Sequence, residues 1–159
     1  MSGLDLTQVK RLYVAPALQA VGLSETARIN CVTGVGSVES GYKYLVQLNN
    51  GPARGFWQME IATHDDIWKN SLPAPSRSRI ATGLRQLLHG QTPNADLMVT
   101  FPLYGAAMCA VKLLLAPAPF PAADDPAGMS QYHKRWYNSP LGAANALGNI
   151  PDFKAAIAA

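Results

Sequence analysis

Charge is scarce in this chain, and what there is does not cluster. Thirteen Lys and Arg and ten Asp and Glu make up only 14% of 159 residues, leaving a net charge of +3. No acidic or basic block marks an interaction tail. A small, dispersed positive excess gives no electrostatic footprint for nucleic acid; it favours approach to a polyanionic surface and nothing more specific. Cysteine is scarcer still. Cys31 and Cys109 each lie within an apolar run, which suits buried free thiols, a bridge between two helices being the alternative. Two cysteines cannot supply a disulfide framework. His64, His89 and His133 are too dispersed in the sequence to build a zinc site with them, so neither a metal nor another cofactor is expected. Phosphate-loop and nucleophile-elbow patterns are missing as well, and Cys31, on an apolar face, makes a poor nucleophile.

A long uninterrupted apolar run is also missing. The most apolar stretch, 97–115, contains Thr100, Pro102 and Lys112, and a lysine near mid-span is costly in lipid, so the stretch reads as a buried central helix without stable membrane insertion. The opening residues, MSGLDLTQVKRL, do not place an apolar segment behind a basic one, so no secretory signal is expected.

What the chain does have is apolar side chains, 48% of the total. That is enough for one domain, spanning 1–159, with a core of its own. The periodicity is mainly helical. Residues 5–21 carry apolar positions at helical spacing, interrupted or restarted at Pro16 and stopped by Gly22. Ser24 reads as the N-cap of a second helix that runs to Val38 and ends near Glu39. Within it Gly34 and Gly36 are small enough for close approach of another helix or of a ligand. Thr63 is placed to cap the next helix, with Asp65 and Asp66 in its first turn and Trp68 inward. Residues 77–89 form another, with Ile80, Leu84, Leu87 and Leu88 inward and Gly90 as its stop. An apolar helix over 95–115, kinked at Pro102, leads into a stiff proline-rich loop at 116–126. Helices over 127–137, after the Ser139-Pro140 pair, and from Ile150 onward complete the chain.

The segment 38–63 breaks this helical pattern. Asn49-Asn50-Gly51-Pro52 is a turn signal, and 42–48 has the makings of a strand or hairpin arm. On either side of that loop stand Glu39-Ser40-Gly41 and Gly55-Phe56-Trp57-Gln58-Met59-Glu60. A lone glutamate at the end of an apolar helix, facing aromatics and an amide, suits glycoside chemistry. An apolar setting favours the protonated acid that a leaving oxygen needs, and aromatic rings stack on sugars. A glutamate at a helix end is also, in many proteins, simply a solvated charge.

Those residues resemble the E-S-G … G-L-M-Q … A-T pattern of soluble lytic transglycosylases and goose-type lysozymes: Glu39-Ser40-Gly41, then Gly55-Phe56-Trp57-Gln58, then Ala62-Thr63. Tyr104-Gly105-Ala106-Ala107 sits where that family has a small-residue-rich helix, and Trp136-Tyr137-Asn138 is similar to its A-Y-N motif. The motifs follow the family order over 32–144.

The resemblance implies a lysozyme-like, mainly α-helical domain with a small β or loop element beside an active-site cleft. It also implies cleavage of the β-1,4 bond between N-acetylmuramic acid and N-acetylglucosamine in peptidoglycan. Glu39 would be the general acid, and Glu60 either a second acid that positions water, which favours hydrolysis, or a surface residue. Ser40, Gly55, Phe56, Gln58, Tyr137 and Asn138 would contact the substrate. Trp57 stands where the family usually has methionine, and it would stack on a sugar or pack inward. Ser139-Pro140-Leu141-Gly142 replaces the family's glycine-rich turn. The partners implied are peptidoglycan glycan strands. With no export signal, the expected setting is a bacteriophage: an endolysin that waits in the host cytoplasm, or a virion-associated enzyme in contact with other virion proteins. A catalytically silent wall-binding module of the same fold is the alternative.

Overall fold

A computed structural model describes residues 3–138 and 145–159. The chain is mainly helical, with nine α-helices and one two-stranded sheet among the described residues.

Helical residues run unbroken from 6 to 20: α1 (Leu6–Val9), a π turn (Lys10–Val14) and α2 (Ala15–Ala20). Asp5 caps the start by accepting from the Gln8 amide at 2.9 Å. The widened turn falls just ahead of Pro16, whose nitrogen has no hydrogen to give. The expected interruption at that proline is therefore a change of helical register and not a break. At the far end Gly22 takes a left-handed φ of +73°. The amides of Gly22 and Leu23 bond back to Gln19 and Leu18, a closure that needs a residue tolerant of positive φ.

α3 (Thr26–Ser40) starts at Glu25 and not at Ser24, because Glu25 is the last residue with extended φ/ψ. Every residue from Asn30 to Gly36 is buried, so this helix has no solvent face over two turns. Its glycines explain how. A Cβ on Gly34 would run into the ring of Phe153, and one on Gly36 into the phenol of Tyr42. Phe153 belongs to α9 (Ile150–Ala158), the element most extensively packed on α3. Of the two roles open to these glycines, close packing of helix and loop is the one seen.

The expected strand at 42–48 is replaced by an irregular loop with a 3-10 turn (Leu48–Asn50). Pairing there is limited to an isolated antiparallel bridge of Val46 to Arg54, with Gln47 donating to the Ala53 carbonyl and Leu45 accepting from the Gly55 amide. The strands lie further on: β1 (Ala53–Arg54) and β2 (Met59–Glu60), antiparallel, with Ala53 opposite Glu60. α4 (Ile61–Asp66) then begins at Glu60, whose φ/ψ is extended, and not at Thr63. Asp65 and Asp66 consequently sit in its last turn, and a π turn (Ile67–Ser71) prolongs it. α5 (Ser78–Leu87) buries Ile80 and Leu84, with Leu88 beyond its end, and Gly90 follows at φ +84°.

The apolar segment expected as one kinked helix is two: α6 (Leu97–Thr100) and α7 (Pro102–Leu114). Phe101 between them is extended, at φ −117° and ψ 93°, as the clash with a following proline ring demands. α7 is buried from Tyr104 to Val111 and lies against α2 and α5. α8 (Pro126–Tyr132) is capped by the Asp125 carboxylate and passes into a π turn (His133–Tyr137). The expected cap at Ser139-Pro140 lies outside the described residues.

Cys31 and Cys109 are both free and buried, and burial pushes the Cys31 thiol up to about 12. Among the described residues no helix is long and apolar enough to cross a membrane.

The Gly34 contact makes a direct test of this packing. Gly34→Ala is expected to lower the unfolding free energy by about 1–3 kcal/mol through overpacking. The readout is a lower urea midpoint with an unchanged slope.

Candidate active-site cleft

A cleft of about 630 Å³ opens between the end of α3, the 44–60 loop and hairpin, the last turn of α7 and the π turn that follows α8. Glu39 stands on its wall, in the last turn of α3, with its side chain 16% exposed. Its Oε1 lies 2.6 Å from Nε2 of His133, a residue with no solvent exposure. Nδ1 of His133 is buried and has no hydrogen-bond partner among the described residues. A ring hydrogen on Nε2 fits that placement best. The N–H then donates to Glu39, and the atom left unpaired is a bare lone pair and not a buried donor.

The π turn sets this geometry. The Asn138 amide reaches back five residues to the His133 carbonyl at 2.9 Å, which widens the turn. The rings of His133 and Tyr137 stack with centroids 5.7 Å apart. Tyr137 lines the cleft, but its hydroxyl is committed, donating to the Trp57 carbonyl at 2.6 Å. Burial holds that phenol well above its ordinary pKa. Lys112 lies 4.2 Å over the other part of this cluster, the Tyr137 ring, and donates to the Tyr137 carbonyl at 2.6 Å.

The opposite wall comes from the loop. Gln58 lines the cleft at a positive φ of +47°, its amide nitrogen donating to the Gly55 carbonyl at 2.8 Å. Glu60 and Thr63 line it from β2 and α4, and Glu60 is exposed. Tyr44 and Leu48 stand on the rim, 44% and 60% exposed. Arg54 fixes the hairpin to the body of the protein by bonding Asp96 at 2.8 Å and the Gly51 carbonyl at 2.8 Å.

The sequence-derived site residues therefore divide. Glu39, Glu60, Gln58, Tyr137 and Asn138 share the cleft. Asn138 brings a buried side-chain oxygen that has no partner among the described residues. Ser40, Gly55, Phe56 and Trp57 do not line it. Ser40 is buried and spends its hydroxyl on the turn after α3, donating to Gly36 and accepting from the Tyr42 amide. Gly55 is a backbone requirement, with φ +73° and the Met98 carbonyl 2.9 Å from where a Cβ would be. Trp57 is 1% exposed, donates its indole N–H to the Val32 carbonyl at 2.8 Å and meets Tyr42 and Phe56 edge to face. Of its two readings, packing is the one realised, and the exposed ring at the cleft is Tyr44.

Residues missed in the sequence are His133, Lys112, Tyr44, Gln47, Leu48, Ala53 and Thr63. His133 had a signal, since it precedes Tyr137 by four on one helical segment, a spacing that puts both on one face. The other buried histidine, His64, is bonded to Asp65 at 2.8 Å and to the Tyr104 hydroxyl at 2.6 Å, away from the cleft lining. Burial pushes its pKa down, against the pull of Asp65. Among the described residues no group of three or more His, Cys, Asp or Glu could hold a metal ion.

Two alanine substitutions separate the buried ring from the exposed one. Trp57→Ala is expected to cost about 3–5 kcal/mol of stability, as a large cavity in a packed core does. Tyr44→Ala, at the surface, should stay within about 0.5 kcal/mol. Urea denaturation of both reads the difference. No family model, curated protein or solved structure matches this chain, so the chemistry of the cleft is argued from its own side chains.

Proposed function

We propose that the protein cleaves peptidoglycan glycan strands at the β-1,4 bond between N-acetylmuramic acid and N-acetylglucosamine, within a lysozyme-like fold and with Glu39 as the acid. The observation that carries this reading is the convergence of Glu39, Gln58, Glu60, Tyr137 and Asn138, from three separate stretches of the sequence, on one open cleft. A glycan strand needs an elongated, accessible groove, a single well-held carboxyl at its wall, and amide groups to bond sugar substituents.

In the reaction, Glu39 gives its proton to the bridging oxygen, and the bond from that oxygen to C1 breaks with its electron pair leaving on the oxygen. Positive charge develops at C1. His133 stays bonded to Oε1 throughout, so the proton leaves from Oε2 and the new carboxylate keeps a charge-assisted donor. C1 is then attacked by water, with Glu60 or the freed Glu39 carboxylate taking the water's proton, or by the sugar's own C6 hydroxyl, whose proton passes to the freed Glu39 carboxylate. The first path gives a reducing sugar and the second a 1,6-anhydro ring. Tyr44 and Leu48 offer an exposed apolar rim for sugar faces. The setting that fits an enzyme of this kind is a bacteriophage, which brings it to the wall as an endolysin or as part of the virion.

The short Glu39–His133 contact also supports a second reading. In the other tautomer, which leaves Nδ1–H a buried donor without a partner among the described residues, Nε2 accepts the Glu39 proton, the acid is silent and the domain is a wall-binding module.

Glu39→Gln separates the two. The expected result is a loss of wall clearing by at least about 100-fold, with unchanged circular dichroism and unchanged cosedimentation with walls. A variant that clears walls at the parental rate refutes the catalytic role; a folded parent that sediments with walls and clears none supports the binding module. Mass spectrometry of released disaccharides distinguishes hydrolysis from the anhydro product, which is lighter by one water. His133→Leu removes the donor to Oε1 and should lower kcat about 10- to 100-fold, whereas His133→Gln, which keeps an N–H, should lose less.

A further inference from the structure

We infer that Lys112 is a specificity residue that recognises a carboxylate on the glycan substrate, which makes this a cleft for acidic amino-sugar strands and not for neutral ones. The inference deepens the glycosidase reading and rests on it.

Lys112 is the single charged side chain of α7 and stands where the buried run Tyr104–Val111 reaches the cleft wall. Its ammonium has three N–H donors. The Tyr137 carbonyl takes one at 2.6 Å, and the Tyr137 ring lies 4.2 Å beneath the nitrogen. Among the described residues it forms no ion pair. Nothing else accepts from it among the described residues, so the remaining donors are shared between the ring face and the cleft. The charged groups that face it are Glu39, from the end of α3, and Glu60, from β2; both attract the ammonium from beyond ion-pair distance.

Holding a cation half out of water costs free energy that a neutral hydroxyl acceptor does not return, because an amide would serve a hydroxyl as well at a lower cost. An anionic acceptor returns much more. Burial also pushes the Lys112 pKa down from its ordinary value, the direction expected of an ammonium waiting for a counter-charge.

A peptidoglycan strand carries carboxylates in two places. The lactyl ether of a muramic residue has one where the stem peptide has been removed. The stem peptide has its own where it is present. A chitooligosaccharide shares the backbone sugars and has neither.

The test uses the full chain and three substrates: peptide-bearing strands, amidase-denuded strands and chitohexaose. We expect the parent to prefer a carboxylate-bearing strand over chitohexaose in kcat/KM. Lys112→Met should lower that preference ratio about tenfold, with Lys112→Arg restoring part of it. The strand whose ratio falls more identifies which carboxylate is read. An equal loss on all three substrates overturns the inference while the glycosidase reading stands, and leaves Lys112 as a support for the Tyr137 carbonyl. Binding measured by NMR in the parent, with N-acetylglucosamine, N-acetylmuramic acid and a muramyl dipeptide as probes, needs no variant. Tighter binding of either acidic probe supports the inference even if none of the three substrates is cleaved, an outcome that counts against the glycosidase reading alone. Equal binding of N-acetylglucosamine, N-acetylmuramic acid and a muramyl dipeptide, which carries the stem-peptide carboxylate, overturns it.

Discussion

The contact between His133 and Glu39 joins residues 94 positions apart in the chain, and the organisation of the cleft depends on it. Each partner is fixed by a different part of the fold. Glu39 is held because α3 is buried on all sides a turn before it, a condition met only because Gly34 and Gly36 let Phe153 and Tyr42 come to the helix backbone. His133 is held because the π turn stacks it on Tyr137, with Phe153 at 6.0 Å on another side. Phe153 thus touches both supports. A side chain near the end of the chain sets the distance between an acid and its hydrogen-bond donor, although it lines no part of the cleft.

The motif residues around the loop do two kinds of work, and the structure separates them. Ser40, Gly55, Phe56 and Trp57 bury or bend the backbone so that Gln58 and Glu60 reach the cleft. Trp57 has the largest share. Its indole is tied to Val32 in α3, its carbonyl accepts from Tyr137, and its ring packs on Tyr42. One residue therefore connects the acid's helix, the loop and the π turn. A family-like pattern in sequence marks positions that matter to the site. It does not say which of them touch a ligand, because a scaffold residue and a contact residue a few positions apart are constrained equally.

Much of the helical order was legible, since apolar periodicity and glycine or proline stops report burial directly, as at Gly22, Gly90 and the turn before α9. The misreadings have physical causes. Thr63 has the chemistry of a cap, but Glu60 has the extended φ/ψ that ends a strand and begins a helix. Pro102 promised a kink, but the residue before it paid the steric cost and split the helix instead. The loop 42–48 has strand-like residues but almost no pairing partner, because the hairpin closes within 53–60. The sequence also grouped Glu39, Gln58 and Tyr137, which the fold brings to one cleft. Lys112 was not legible, since its partner lies on another element and spacing within its own helix carries no information about it; His133 shares a helical face with Tyr137 by spacing, but nothing in the sequence pairs it with Glu39.

The polar groups of the cleft form a sequence of commitments that leaves few atoms free for a ligand. Tyr137 gives its hydroxyl to Trp57 and its carbonyl to Lys112; Gln58 gives one amide hydrogen to Gly55; Glu39 accepts at Oε1 from His133. Among the groups that remain are Oε2 of Glu39, the exposed carboxylate of Glu60, the Lys112 ammonium and the Asn138 oxygen. Under the proposed reading these serve as an acid, a base, an anion-binding group and an acceptor for an N–H. An acetamido sugar bearing a carboxylate can use all four, while a neutral sugar leaves the cation unmatched and a free anion leaves the acceptor unmatched. Because the groups that face inward are already paired by the fold, the cleft can hold this arrangement before any ligand arrives, and little binding energy is lost to ordering it.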